Sequence, residues 1–525
     1  MLADLALING NVITMNSSQP SAQAVAIKKQ VIVKVGTTNE VKQCIGNQTK
    51  VIDLQGKTVV PGFTDCHIHV GDFGKFLAWV DLKDVKSIKE IKTKIKARTQ
   101  KIPKGRWVIG SGWDQAGFVE KRYPTVKELD EASPDNPVVL YHQCGRVCLV
   151  NSKALELAGV TNQTVSPEGG VIEKDPKTGE VTGILQETAT DLVWNKIPEP
   201  TEDEAMEACA LACQKIVEAG VTGVHWIVTS FTEVSVIKRL IKDNKLPLRV
   251  YPIVSANILN QIKDDSKLGS EGTRWGLKVF VDGSLAARTA ALSEPYSDDN
   301  VTRGQLLYSQ EELDELVVKG YNSGFRLVMH AMGDQAIGLV LESIEKTVKD
   351  TTEGSRHRLE HASVLNNELI QRIKKLGMIV SVQPKCVITE YAIWSAVERL
   401  GQKRARWLYP LKTLITQGIR VIGGSDCPME PLSPLSGIQA VVDRKYFPEE
   451  RISVDDALRM YTVNAAYATD EEQTKGSIVE GKLGDVTVLS GDPQTMLPSK
   501  IGEITVMMTV VGGKVVYQKP PETIQ

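Results

Sequence analysis

The chain has 525 residues, 42% of them hydrophobic and 24% charged, with a formal net charge of −2. Such a composition is that of an ordinary globular protein with enough apolar residues for a large core, and the length suits several domains or one barrel with appendages. A near-neutral charge without a basic run excludes nucleic acid as the expected partner, and no apolar run approaches the roughly eighteen residues that a membrane span needs.

The N-terminal stretch MLADLALINGNVITMN places Asp4 inside its apolar patch and has no basic leader, so it does not read as a secretory signal and a cytoplasmic location is expected. The eight cysteines are scattered along the chain and read as reduced thiols. Cys144 and Cys148 could be combined with Cys209 and Cys213 into a thiolate zinc site. The second pair, however, lies in the apolar helical stripe EACALACQKIVEAG, where core packing explains small cysteines better.

The first segment, 1–58, alternates short Val- and Ile-rich runs (ALINGNVITM, AVAIKKQVIVKVG) with turn signals such as Asn9-Gly10 and Gly36. The last segment, 476–525, does the same with GKLGDVTVLSG, EITVMMTVV and GGKVVYQ. Neither can bury a core alone, so the two are expected to form one small β-sandwich. Between them, 59–475 alternates apolar strands with helical patterns, the mark of a parallel sheet. Strands are expected at 59–69, 221–228, 248–254, 277–283, 326–333, 356–362, 378–384 and 420–426. That number predicts an α/β fold built on a (β/α)8 TIM barrel. Residues from about 75 to 200 interrupt the rhythm, too long for a loop, and read as an inserted α/β subdomain expected to lie over the barrel mouth as a lid or substrate-selecting wall.

Barrel enzymes carry their chemistry at the C-terminal ends of the strands. In PGFTDCHIHV the two-residue alternation of a strand puts Asp65, His67 and His69 on one face. Other strand ends supply Lys278, Asp282, His330, His361 and Asp426, so that four of the seven histidines fall in this set. Four imidazoles and a carboxylate suit Zn²⁺ or a similar divalent ion. His225, beside Trp226, reads as a packed or supporting imidazole, and His142 and His357 as ordinary polar residues. Glu360 should face away from the pocket because it alternates with His361. Asp334 either caps the following helix or meets substrate.

PGFTDCHIH, LKVFVDGSL with Arg288-Thr289-Ala290 after it, HAMGDQAI, RLEHA and GGSDCPM, framed by split sandwich halves, resemble the amidohydrolase superfamily. Within it the chain is similar to the amidohydrolase family 3 branch, which includes N-substituted formamide deformylase-like enzymes, and the likeness extends through GSGWD, NSKAL and TGILQE in the insert. The resemblance implies one or two divalent ions: His67, His69 and Asp426 on the more buried metal, His330 and His361 on the second, and Lys278 carbamylated by CO₂ to bridge them. It implies hydrolysis of an amide, formamide or related non-peptide C–N bond in a small molecule, with Asp426 orienting the nucleophile and carrying its proton. Pocket side chains are expected from Trp113, Asp114, Arg146, Glu187, Asp282, Arg288 and Asp334. Arg146 departs from the family pattern, which commonly has histidine after the glycine, and a fixed cation there would favour an anionic substrate. The rival readings are a mononuclear-metal deaminase of a cyclic amidine or nucleobase with an unmodified Lys278, esterase or lactonase activity at the same site, and a non-catalytic assembly protein on the same fold. A symmetric homodimer is the commonest assembly for such a protein.

Overall fold

Eight short strands whose residues are nearly all buried pair side by side in parallel: β1 (Phe63–Ile68), β2 (Val221–Val228), β3 (Arg249–Ser255), β4 (Gly276–Phe280), β5 (Arg326–Ala331), β6 (Arg358–His361), β7 (Ile379–Val382) and β8 (Val421–Gly423). Burial on both faces explains why they read as continuous apolar runs rather than as alternating ones. In this computed structural model, which describes residues 1–261, 275–348 and 356–521, the strands follow chain order around a TIM barrel. The seam between β8 and β1 is tied at the strand ends. The Asp426 amide donates to the His67 carbonyl at 2.7 Å and the His69 amide to the Cys427 carbonyl at 3.0 Å.

The expected first strand, 59–69, divides at Gly62. Thr58–Pro61 belongs to a different sheet, where it pairs with Val486–Leu489 from the far end of the chain. Gly62 is the pivot: its amide donates to the Asp485 carbonyl at 2.9 Å, and any Cβ there would collide with the Thr222 side chain. Both chain ends therefore share one six-stranded sheet, which faces a four-stranded sheet of Val31–Gly36, Ala24–Lys28, Leu5–Ile8 and Lys50–Asp53. Leu5, Leu7, Val25 and Ile27 meet Val59, Val486, Val488 and Val510 in one core, so the two ends complete a single hydrophobic interior.

The chain divides into two compact units, Met1–Phe73 with Cys209–Gln525, and Gly74–Ala208. The second has its own six-stranded mixed sheet, with Val108–Trp113, Val138–His142 and Val147–Val150 at its centre. Alternation along the central strand feeds two cores, with Val138 and Leu140 in one and Val139 in the other. The helix Ile88–Thr99, capped by Ser87, covers the first core with Ile88, Ile91 and Ile95 at three- and four-residue spacing. Replacing Ile91 by alanine would cost roughly 2–5 kcal/mol. Among the described residues no helix is long and apolar enough to cross a membrane, and all eight cysteines are free thiols.

Candidate active site

His67 and His69 project together from the C-terminal end of β1, with ring centroids 5.7 Å apart. Asp426 reaches them from the loop after β8 on a left-handed backbone of φ 57°, held there by its seam hydrogen bond. Its Oδ1 lies 3.2 Å from His69 Nε2 and 3.5 Å from His67 Nε2, and one ligand atom from each of the three residues falls within 4.8 Å of the others. Lys278, fully buried on β4, brings Nζ to 3.3 Å from His67 Nε2. The His361 ring centroid is 5.1 Å from that of His67, and His330 continues the cluster at 4.4 Å from His361. The six side chains gathered from five strand ends thus form one contiguous group.

Each central imidazole is fixed through the nitrogen that faces away from the group. His67 Nδ1 meets the Glu360 carboxylate, His361 Nδ1 lies 2.7 Å from Gln383 Oε1, and His330 Nε2 donates to the Gly283 carbonyl at 3.1 Å. With its proton on Nε2, His330 turns a lone pair on Nδ1 inward, and that buried atom has no hydrogen-bond partner among the described residues. Burial, reinforced by neighbouring cations and imidazoles, holds His67, His330 and His361 well below the usual histidine pKa, so they are neutral donors. Burial also lowers Lys278 to about 8. Burial raises Asp426, but His67, His69 and Lys278 outweigh it and keep its carboxyl below the ordinary range. Neutral imidazoles with set tautomers, an ionised carboxylate and an orphaned inward nitrogen fit a divalent ion of the zinc type.

Two features of the support differ from expectation. Glu360 faces inward rather than away. His361 has a left-handed φ of 68°, which turns its side chain to the same side as Glu360 and cancels the alternation. Arg358, two residues earlier, donates to Glu360 Oε1 at 2.8 Å, to the Cys66 carbonyl at 2.7 Å and to Ser381 Oγ at 3.2 Å, and its Nη1 meets His225 Nδ1 at 2.9 Å. His67, Glu360, Arg358 and His225 therefore form one buried chain, and His225 supports rather than joins the cluster. Asp65 is equally buried, accepting from the His67 amide at 3.1 Å and the Ser425 amide at 2.9 Å. Arg358 and Gln383 were not singled out in sequence, and Glu360 was read as pointing away; for Arg358, a charged residue in a fully buried strand was the signal available.

The expected pocket residues fare differently. Asp282 is buried and accepts from the amides of Ala291, Met332 and Gly333 at 2.8–3.0 Å, while burial pushes its carboxyl up to about 6. It staples two loops together and has no free oxygen surface for a ligand. Asp334 does not cap its helix: Gly333 holds the cap position and Asp334 accepts from the Ser293 amide at 3.0 Å. Arg288 pairs with Asp298 at 2.6 Å. In the inserted unit Trp113 is fully buried, donating its indole N–H to the Leu140 carbonyl at 3.0 Å, so it has no surface to offer a substrate. Asp114 caps a short turn through the Ala116 amide at 2.8 Å. The Arg146 side chain is 74% exposed and lies 3.6 Å from Glu187, which removes the reason to expect an anionic substrate from it.

The family model described as "Amidohydrolase family" matches residues 50–517. The Bacillus subtilis (strain 168) protein YtcJ is 35% identical over 526 residues, covering 97% of this chain and 98% of its own. The N-substituted formamide deformylase of Arthrobacter pascens is 30% identical over 543 residues, 99% of each chain. A crystal structure of an uncharacterized metal-dependent hydrolase from Pyrococcus furiosus superimposes with a TM-score of 0.78 at 31% identity, covering 94% of this chain and 100% of that one.

Proposed function

The chain belongs to the amidohydrolase family and is a metal-dependent hydrolase of carbon–nitrogen bonds other than peptide bonds, and from that premise we propose how its residues divide the work on an amide or formamide of a small molecule. His67, His69 and Asp426 would hold one divalent ion, and His330 and His361 a second. Zinc suits this mixture of imidazole and carboxylate. When bound, such ions polarise the scissile carbonyl and make water acidic enough to react near neutral pH.

Lys278 is the bridging candidate. An ammonium would repel the cations, and burial shifts the balance toward the free amine by lowering its pKa from 10.5 to about 8. That amine can add CO₂, releasing a proton and leaving a carbamate whose oxygens match the donor set. Asp426 is the proton carrier. Its carboxylate is ionised and faces both His67 and His69, so it can take the proton of the attacking water and return it to the departing nitrogen. The water oxygen joins the carbonyl carbon, the C–N bond breaks, and the amine leaves protonated. Behind them, Glu360 and Arg358 fix the tautomer of His67 and exclude water from its far side.

The observation that carries this reading is the convergence of Asp426, Lys278 and the imidazoles from five separate strand ends. It is tested by incubating the metal-loaded chain with matched formamides, amides, cyclic amidines and esters. Preferential release of an amine from the first two supports it, and ammonia release from the amidines alone would replace it with the deaminase reading.

A further inference from the structure

We propose that the inserted unit, Gly74–Ala208, carries a small-molecule site of its own: an aromatic cleft that takes an aryl group bearing a neutral carbonyl acceptor. The cleft measures about 850 Å³ and every residue lining it belongs to this unit. That volume lies within the roughly 300–1,000 Å³ of ordinary ligand sites.

One wall is built from rings. Trp79 and Tyr141 lie nearly parallel, 18° apart in plane with centroids at 6.1 Å. Trp194 stands edge-on to both, at 72° and 6.1 Å from Trp79 and 73° and 5.9 Å from Tyr141. Phe76 extends the wall, 5.8 Å from Trp79. Aromatic residues make up only 5% of the chain, so four on one cleft is a marked concentration. Trp194 is 44% and Phe76 38% exposed, leaving apolar ring surface against water. Two ring orientations at right angles let a flat guest stack on one wall and meet the other edge-on.

A polar group converges on the same space. His142 Nδ1 accepts from the Cys144 amide at 3.1 Å, which places the proton of the neutral ring on Nε2. That buried Nε2 has no hydrogen-bond partner among the described residues, and the Asp114 Oδ1 carboxylate oxygen, 3.6 Å away, is beyond hydrogen-bond reach. A buried donor left open beside aromatic walls calls for an acceptor on the guest. The cleft also carries Asp84 and Asp191 against one cation, Lys83, so a neutral carbonyl is favoured over a carboxylate.

The proposal does not depend on the metal assignment, and its test is run on chelator-treated full-length protein so that failure of one leaves the other untouched. Isothermal titration with 2-naphthamide should show saturable binding, about tenfold or more tighter than with cyclohexanecarboxamide. Trp194→Ala should weaken naphthamide by a similar factor, Trp194→Phe should restore most of it, and His142→Leu should weaken it while the melting profile stays that of the parent. Absence of binding, equal affinity for the saturated ring, or undiminished binding to the Trp194→Ala and His142→Leu variants would overturn the proposal.

Discussion

The Arg358 guanidinium donates to Glu360 Oε1 at 2.8 Å in a fully buried ion pair, and the other side of the same carboxylate holds His67 Nδ1. Removing one partner of a buried pair leaves an unmatched charge and costs roughly 3–5 kcal/mol. Glu360→Leu should therefore unfold at markedly lower urea, and the double change with Arg358→Met should recover much of that stability. Activity should not follow. With His67 unanchored, metal affinity or turnover should stay roughly 10–100-fold down in the double variant. Parallel urea titrations and metal dialysis measure the two effects, and recovery of activity along with stability would reduce the pair to a structural role.

Asp426→Asn keeps the shape of the side chain and removes its capacity to carry a proton. The kcat should fall roughly 10²–10⁴-fold, the range of a lost general acid–base group. Metal content should persist, because the imidazoles remain. Turnover within a few fold of the parent would take the proton-carrying role away from Asp426.

Lys278→Ala should lower the number of bound ions and abolish turnover, while Lys278→Glu, which supplies a carboxylate without CO₂, should retain more metal than alanine. Protein equilibrated with ¹³C-labelled bicarbonate should show a carbamate carbon resonance that is missing in both variants. An unmodified Lys278 in fully metal-loaded protein would contradict the bridging assignment and favour a single ion.

Glu390, in the helix Cys386–Ala392, is buried with its Oε2 unpartnered. Burial, opposed by Arg399 and aided by Glu430, lifts its carboxyl from 4.5 to about 7. The folded state therefore holds this proton more tightly than the unfolded chain. Its contribution is fully present below pH 4.5 and is lost as the pH rises through 7. Glu390→Gln cannot ionise, so relative to the parent it should gain about 3 kcal/mol of unfolding free energy between pH 4.5 and 8. Denaturant titrations at several pH values check the sign; a constant difference would mean that the carboxyl is already compensated.

Much of the barrel was legible because parallel strands buried on both faces leave uninterrupted apolar runs, and the polar residues that end those runs are conspicuous. His67 and His69 were readable from the period of two alone. What escaped depends on single backbone angles and on distant partners. The φ of 68° at His361 brings Glu360 inward, and no neighbouring residue type signals it. Gly62 divides one apolar run between two sheets because Thr222, far along the chain, leaves no room for a side chain. Asp282 resembled a substrate contact in sequence, yet three backbone amides occupy it. Trp113 and Asp114 sit in GSGWD, part of the family resemblance read in the sequence, and there the structure uses them for packing and capping.

The most direct test of the metal-dependent reading is elemental analysis of the chain purified without chelator, set beside the His67→Asn/His69→Asn variant and paired with amine release from a formamide. The parent should carry stoichiometric divalent metal and release amine, and the folded variant should lose both. A parent chain that binds no metal under these conditions, or a variant that hydrolyses as fast without it, would contradict the account.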